Sequence, residues 1–169
     1  MTVKMKMKIS WLPYIALSAL IAAVSLADSD LRAVREKVRG ALTQGDLPRS
    51  ARWWAELGPQ AGTAVREVFG SSDRLQARLK ALEAHRFFTD PDSALFLRRA
   101  VFDLDNRSLR RTAILSLALS QGIKERSTFE TLLASGDPFT RVAAAEGLRA
   151  MPEVEAQAML GDFLGQEIG

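Results

Sequence analysis

The chain of 169 residues contains no cysteine and a single histidine, His85. The absence of cysteine excludes disulfide bonds, thiolate metal sites and a cysteine nucleophile. One histidine cannot supply a multi-histidine metal centre within a single chain. Polar low-complexity stretches are also missing, and 47% of the residues are hydrophobic. A folded domain of ordinary size is therefore predicted.

Excess positive charge is confined to the start of the chain. The formal net charge is +3, and Lys4, Lys6 and Lys8 account for all of it, since no other charged residue precedes Asp28. The remainder is formally neutral, so its composition gives no indication of a nucleic-acid partner, and we expect none.

Residues 1–27 have the pattern of a secretory signal peptide. The lysines precede an apolar run, 9–26, and the small residues Ser25 and Ala27 favour cleavage directly before Asp28. An uncleaved membrane anchor is the alternative, because the run is close to the ~20 residues that span a bilayer. Residues 9–27 would then be the contact with the membrane. In either arrangement the domain 28–169 is exported, and we expect a periplasmic or secreted location.

Residues 28–169 are predicted to form one all-helical domain. Alanine, leucine, arginine and glutamate dominate, and no run of alternating β-branched residues occurs. Turn residues recur at short intervals and separate helices of about 8 to 16 residues. The predicted helices cover 31–42, 49–57, 61–69, 73–85, 93–102, 106–119, 128–134, 137–151 and 153–164.

Two segments 31 residues apart share one pattern. The positions Asn106, Arg110, Ala113 and Leu117 recur as Asp137, Arg141, Ala144 and Leu148. A period between about 20 and 50 residues is typical of stacked helical repeats. The first residue of each segment is expected to cap a helix, with Pro138 in the first helical position of the second segment.

The string that begins Asp137-Pro138 and continues with Arg141 and Ala144 resembles the second helix of a short HEAT-like repeat. Leu148 lies one position earlier than in the commonest spacing. The resemblance implies a short right-handed α-solenoid of antiparallel helix pairs. It also implies that Arg110 and Arg141 reach capping residues of neighbouring repeats, namely Asp137 and either Asp105 or Asn106. Within the second segment, Val142, Leu148 and Met151 are expected to form the apolar stripe.

Candidate catalytic groups are few. The carboxylates Asp90, Asp92, Asp103 and Asp105 form two pairs, but they lack the glycine and distal glutamate of a calcium loop. We expect them in turns and helix caps, with Asp92 and Ser93 as a cap. His85 has no companion of a catalytic motif and is expected to lie partly exposed near a helix end. We therefore expect no catalytic residue, cofactor or metal.

Six residues are candidates for contact with a partner. Trp53 and Trp54 point about 100° apart on a helix, so both are difficult to bury in one narrow interface, and one arrangement has one ring inward and the other at a rim. Burial of both is the alternative. The arginines Arg98, Arg99, Arg110 and Arg111 either form a basic strip on successive helices or pair with nearby acids such as Glu125.

These features favour an exported, non-enzymatic protein-binding module, such as an adaptor or assembly factor for an envelope complex. One alternative is a protein that handles a small ligand or cofactor, because short HEAT-like repeats also resemble those of lyases that attach bilin pigments. Another is a membrane-anchored scaffold. A deep apolar cavity around Trp53, His85 and Arg98 would favour a small ligand, whereas a shallow groove would favour a protein or peptide.

Overall fold

The computed structural model describes residues 31–44 and 50–167, and all regular structure in these ranges is helical. Helix α1 covers 31–43. It is followed by α2 (Ala51–Glu56), α3 (Ala61–Ser71), α4 (Leu75–Ala84), α5 (Pro91–Asp103), α6 (Arg107–Gln121), α7 (Arg126–Leu133), α8 (Pro138–Ala150) and α9 (Glu153–Glu167). Short 3₁₀ turns, His85–Phe87 and Gly122–Glu125, precede α5 and α7. The prediction of an all-helical fold is confirmed for this part of the chain.

Side-chain caps fix the first residues of α6 and α8. Asn106 accepts a hydrogen bond from the backbone N–H of Leu109 at 3.1 Å. Asp137 accepts from the backbone N–H groups of Phe139 and Thr140, each at 3.2 Å. These carboxylate and amide oxygens satisfy donors that a helix cannot pair internally. Both predicted caps are confirmed.

The cap of α5 differs from the prediction. Asp90, rather than Asp92, caps the helix, and it accepts from the backbone N–H of Ser93 at 2.9 Å. The reason is Pro91, which fits the first helical position because its missing N–H costs nothing there. Asp92 therefore lies inside the first turn, where its charge is favourable to the helix dipole.

Helix α6 lies at the centre of the domain and packs against α4, α5 and α8. Its buried side chains include Leu109, Ala113, Ile114 and Leu117. We call the cluster around them, which runs from Leu82 to Met159, the C-terminal core. Helix α6 is thus the element that α4, α5 and α8 share.

Small residues let α8 approach its neighbours closely. Ala143 and Ala144 are buried, and a side chain on Gly147 would lie only 2.9 Å from the ring of Phe129. The expected stripe on α8 is partly wrong, because Val142 is 60% exposed while Leu148 and Met151 are buried. The alanine face, one step around the helix from Val142, provides the contact with α6 instead.

A second cluster, the N-terminal core, joins α1 to α4. It consists of Val38 and Leu42 from α1, Trp54 from α2, and a buried face of α3 centred on Val65. Phe87 and Phe88 pack against it from the turn after α4. Phe69 borders both cores, so the two clusters meet along α3 and α4.

The turn after α6 depends on a glycine. Gly122 has a positive φ of 53°, a conformation that side chains disfavour. Glu155 of α9 occupies the space where a side chain would project, and its carboxylate accepts from the backbone N–H of Ile123 at 2.9 Å. This contact ties α9 to the turn between α6 and α7.

The predicted signal peptide or anchor, 1–27, and the turn residues of the sequence at 45–48 lie outside the described residues. Within 31–44 and 50–167, no helix is long and apolar enough to cross a membrane.

Candidate functional site

Three of the four candidate arginines form ion pairs. Arg98 Nε lies 3.0 Å from Glu125 Oε1, and Glu125 is almost completely buried. Arg111 Nε lies 2.6 Å from Glu146 Oε2, and their hydrogen bond raises the pKa of Arg111 and lowers the pKa of Glu146. Arg99 is exposed. These pairs reduce the net charge that the four arginines present to a partner.

Arg110 connects α6 to the start of α8. Its Nε donates to the backbone oxygen of Leu104 at 2.9 Å, and its Nη1 lies 3.4 Å from Thr140 Oγ1 and 3.7 Å from Asp137 Oδ2. The expected contact between Arg110 and Asp137 is therefore present. Because Arg110 is mostly enclosed, the guanidinium is held in one orientation.

Arg141 does not make the corresponding contact. Its Nη1 donates to the backbone oxygens of Ser135 and Gly136, at 2.7 and 3.2 Å, directly before its own helix. The expectation that Arg141 reaches Asp105 or Asn106 is wrong. Asn106 instead caps α6, and Arg141 folds back on the turn that precedes α8.

The two adjacent tryptophans have different surroundings. Trp54 is buried, and its ring centroid lies 5.6 Å from that of Phe88 and 6.4 Å from that of Phe87. Trp53 is half-buried, meets Trp54 edge to face at 4.8 Å, and lines a groove between α1 and α2. Of the two alternatives, the structure shows the one in which one ring packs inward and the other lies at a rim.

His85 is fully buried, so the expectation of partial exposure is wrong. The ring lies between Phe88 and Phe96, with centroid distances of 5.6 and 4.6 Å. Neither ring nitrogen has a hydrogen-bond partner among the described residues. The pKa of His85 is lowered to about 3, mainly because the ring is buried; the charge of Arg66 contributes in the same direction, and the charge of Asp90 acts in the opposite direction. The imidazole is consequently neutral at ordinary pH.

Trp53, His85 and Arg98 have separate surroundings among the described residues. Trp53 borders the groove beside α1, His85 is enclosed by phenylalanine rings, and Arg98 pairs with Glu125. The space next to His85 is filled by aromatic rings from Trp54 through Phe88 to Phe96. These surroundings do not form the deep apolar cavity that would favour a small ligand.

A groove that the sequence did not predict lies between the ends of α5 and α7. We call it the Phe102 groove. It has a volume of about 610 Å³ and is lined by Val101, Phe102, Arg110, Thr131, Leu132, Ala134, Ser135 and Thr140. Phe102 is 51% exposed although it is one of the largest apolar side chains in the chain. The groove thus combines an apolar wall with the guanidinium of Arg110.

Only a weak signal in the sequence pointed to this groove. Phe102 follows Leu95 by seven residues on α5, so the two share one face of the helix, and both are exposed. An aromatic residue on that face is equally typical of a buried stripe. The position of α7 beside it, which makes the groove, depends on contacts between distant parts of the chain.

One of the two predicted carboxylate pairs lies beside an arginine. Asp90 and Asp92 lie 4.0 and 3.8 Å from the guanidinium of Arg66. Hydrogen bonds from Ser93 and the charge of Arg66 outweigh burial and lower the pKa of Asp90. In the part of the chain that the structure describes, no three potential metal ligands lie together.

Comparison with known proteins finds no match to this chain among family models, curated proteins or solved structures. The similarity to HEAT-like repeats therefore depends on the pattern at Asn106–Leu117 and Asp137–Leu148 alone.

Proposed function

We propose that residues 28–169 form a non-enzymatic protein-binding module, and that a partner polypeptide binds in the Phe102 groove. The observation that carries this proposal is the exposed ring of Phe102 beside the oriented guanidinium of Arg110. Aromatic residues and arginine are the side chains most enriched where proteins bind one another. The hydroxyls of Thr131 and Ser135 add hydrogen-bonding groups at the same place.

The proposed architecture is a short right-handed stack of antiparallel helix pairs, with α5 and α6 as one pair and α7 and α8 as the next. Support comes from the two caps, Asn106 and Asp137, at the same step of the 31-residue period. The contact between Arg110 and Asp137 joins corresponding helices of the two pairs. In such stacks, each added pair extends one continuous binding surface.

The proposed role is that of an adaptor or assembly factor in the cell envelope. Its location outside the cytoplasm is supported by the sequence of 1–27 alone, with its lysines, apolar run and small residues before Asp28. A scaffold anchored by the same segment is the form that the proposal takes if the segment is retained.

The experiment is capture of the partner from an envelope extract with the full chain, expressed with a C-terminal tag. Wild type is compared with Phe102→Glu, which places a charge in the groove, and with Val142→Glu. Val142 is 60% exposed on α8 and does not line the groove, so it makes a matched control. We expect a stoichiometric protein that Phe102→Glu loses and Val142→Glu retains.

The same purified chain gives the mature N-terminus by mass spectrometry. A start at Asp28 supports cleavage, and an intact Met1 supports the anchor. Equal capture by Phe102→Glu and wild type would place the binding surface elsewhere and overturn the proposal for this groove.

A further inference from the structure

We propose, on the basis of the protein-binding function above, that the Phe102 groove binds the C-terminal residue of its partner. The free carboxylate of that residue pairs with Arg110, and its apolar side chain packs against Phe102 and Leu132. The occupant is thus the end of a polypeptide chain whose last residue is apolar.

The first support is the set of donors that Arg110 leaves open. Its Nε and Nη1 are directed to Leu104, Thr140 and Asp137, whereas its Nη2 donates no hydrogen bond to the described residues. A guanidinium presents planar N–H groups that suit the two oxygens of a carboxylate. Since Arg110 lines the groove, an anion there can reach Nη2 without displacing the existing contacts.

A second donor is available nearby. The Ser135 hydroxyl oxygen accepts from the backbone N–H of Asp137 at 3.3 Å, and its own O–H donates to no described residue. Ser135 also lines the groove, so its hydroxyl can donate to a bound carboxylate. Thr131 is different, because its hydroxyl already donates to the backbone oxygen of Ser127 at 2.9 Å.

One carboxylate already lies near Arg110 at this end of the groove. Asp137 accepts from the Thr140 hydroxyl at 2.7 Å and from two backbone donors of α8, so its oxygens are engaged mainly by the helix start. Asp137 Oδ2 lies 3.7 Å from Arg110 Nη1, which is an ion pair without a close hydrogen bond, so the N–H groups of Nη2 can donate to a second carboxylate. Asp103 and Asp105 are exposed to water and do not pair with Arg110.

A further argument is that the cationic Arg110 and the apolar ring of Phe102 line the same groove. In an extended segment, an acidic and an apolar side chain that face the same side lie at least two residues, about 7 Å, apart. A C-terminal residue carries a carboxylate and an apolar side chain on the same Cα. It can therefore contact Arg110 and Phe102 together within a groove of about 610 Å³.

The test uses an array of peptides with randomised inner positions that end in each apolar residue in turn. Every peptide is present in two forms, with a free C-terminal carboxylate and with a C-terminal amide. The probe is the purified full chain in mild detergent. We expect the free-acid peptides with preferred last residues to bind at least about tenfold more tightly than their amides, which corresponds to one charge-assisted contact.

Two charge-matched variants assign the effect to Arg110. Arg110→Gln is expected to bind acid and amide forms equally. Arg149→Gln removes the same charge from the far end of α8, about 18 Å from the cap at Asp137, and is expected to keep the preference. Because Arg110 also joins α6 to α8, Asp137→Asn is added, which removes that ion pair but leaves the guanidinium. It is expected to retain the acid preference.

Equal binding of acids and amides by wild type, or binding of neither, overturns this inference. The inference is also overturned if Asp137→Asn loses the preference for free-acid peptides as completely as Arg110→Gln does. The preference would then depend on the contact between α6 and α8 and not on the guanidinium itself. The protein-binding proposal fails separately, when Phe102→Glu captures the partner as well as wild type does. If capture requires Phe102 but the wild type does not prefer free-acid peptides, the protein-binding function stands. Only recognition of a C-terminal carboxylate is then excluded.

Discussion

The two cores of the molecule are built from different side chains. The N-terminal core is centred on Trp54, with Phe87 and Phe88 packed against it. The C-terminal core consists mainly of leucine and alanine around Phe129. Helix α2 in the first region has 6 residues, whereas α6 and α8 in the second have 15 and 13.

The difference explains why one region shows a regular pattern and the other does not. Buried alanines occur in both cores, whereas leucine is frequent only in the C-terminal core, where Leu117 and Leu148 hold equivalent positions of α6 and α8. Large aromatic rings fill irregular space between short helices, and any of several neighbouring residues can supply them. The 31-residue period is therefore visible in the region where leucine fills the core, and it is faint in the region where aromatic rings provide much of the packing.

Among the variants that test the comparison of the two cores, replacement of Trp54 is expected to change the free energy of unfolding most. Trp54→Ala removes the central ring of the N-terminal core and is expected to lower the free energy of unfolding by about 3–5 kcal/mol. Trp53→Ala is the matched control and is expected to cost about 1–2 kcal/mol, since its ring is already partly in solvent. Urea unfolding of both variants gives the two values. Equal losses would show that Trp53 contributes as much to the core as Trp54.

Acid is expected to weaken the boundary between the cores, where His85 lies. The folded-state pKa of about 3 is below the ordinary value of 6.5. The unfolded chain therefore binds a proton first, and stability is lost as the pH falls from 6.5 towards 3. Between pH 7 and pH 5 the loss is expected to reach about 2 kcal/mol. Denaturant unfolding at a series of pH values measures it.

The control for this pH dependence is His85→Phe. Phenylalanine keeps an aromatic ring between Phe88 and Phe96 and removes two unpaired nitrogens. The chain has no other histidine, so the variant should be almost insensitive to pH between 7 and 5. Parallel pH curves for wild type and variant would contradict the assignment to His85.

The smallest expected effect concerns two adjacent arginines beside the C-terminal core. Arg98→Gln leaves the buried carboxylate of Glu125 without its cation and is expected to cost about 1–2 kcal/mol. Thr128 continues to donate to Glu125 at 2.8 Å, which limits the loss. Arg99→Gln, at an exposed position, is expected to change stability by less than about 0.5 kcal/mol. Thermal melts of the pair resolve the difference, and similar melting temperatures would mean that Glu125 does not depend on Arg98.

Much of the fold could be predicted from the sequence because its signals are local. Asn106, Asp137 and Pro138 mark helix starts through hydrogen bonds within one turn, and these positions were confirmed. The contact between Arg110 and Asp137 was also anticipated, although through the resemblance to HEAT-like repeats. Where a proline competes with an aspartate for the cap, as at Pro91, the local pattern was ambiguous and Asp92 was chosen wrongly.

The candidate site could not be predicted in the same way. The Phe102 groove requires α5 and α7 to lie side by side, and no residue pattern within either helix specifies that distance. The surroundings of His85 likewise come from Phe96 and from α6, which follow it in the chain. Contacts between distant segments decide both, so exposure of Phe102 and burial of His85 became apparent only in three dimensions.

The central position of α6 also has a consequence for the order of events during synthesis. Until residues 107–121 leave the ribosome, α4 and the His85–Phe87 turn lack the helix that covers them, and α5 lacks its main neighbour. The C-terminal core cannot close on the first hundred residues alone, because α6, α7 and α8 supply most of its buried side chains, so its stable folding waits for the later part of the chain. Such a delay would suit the export proposed above, because the translocation machinery would meet this part of the chain before it becomes compact.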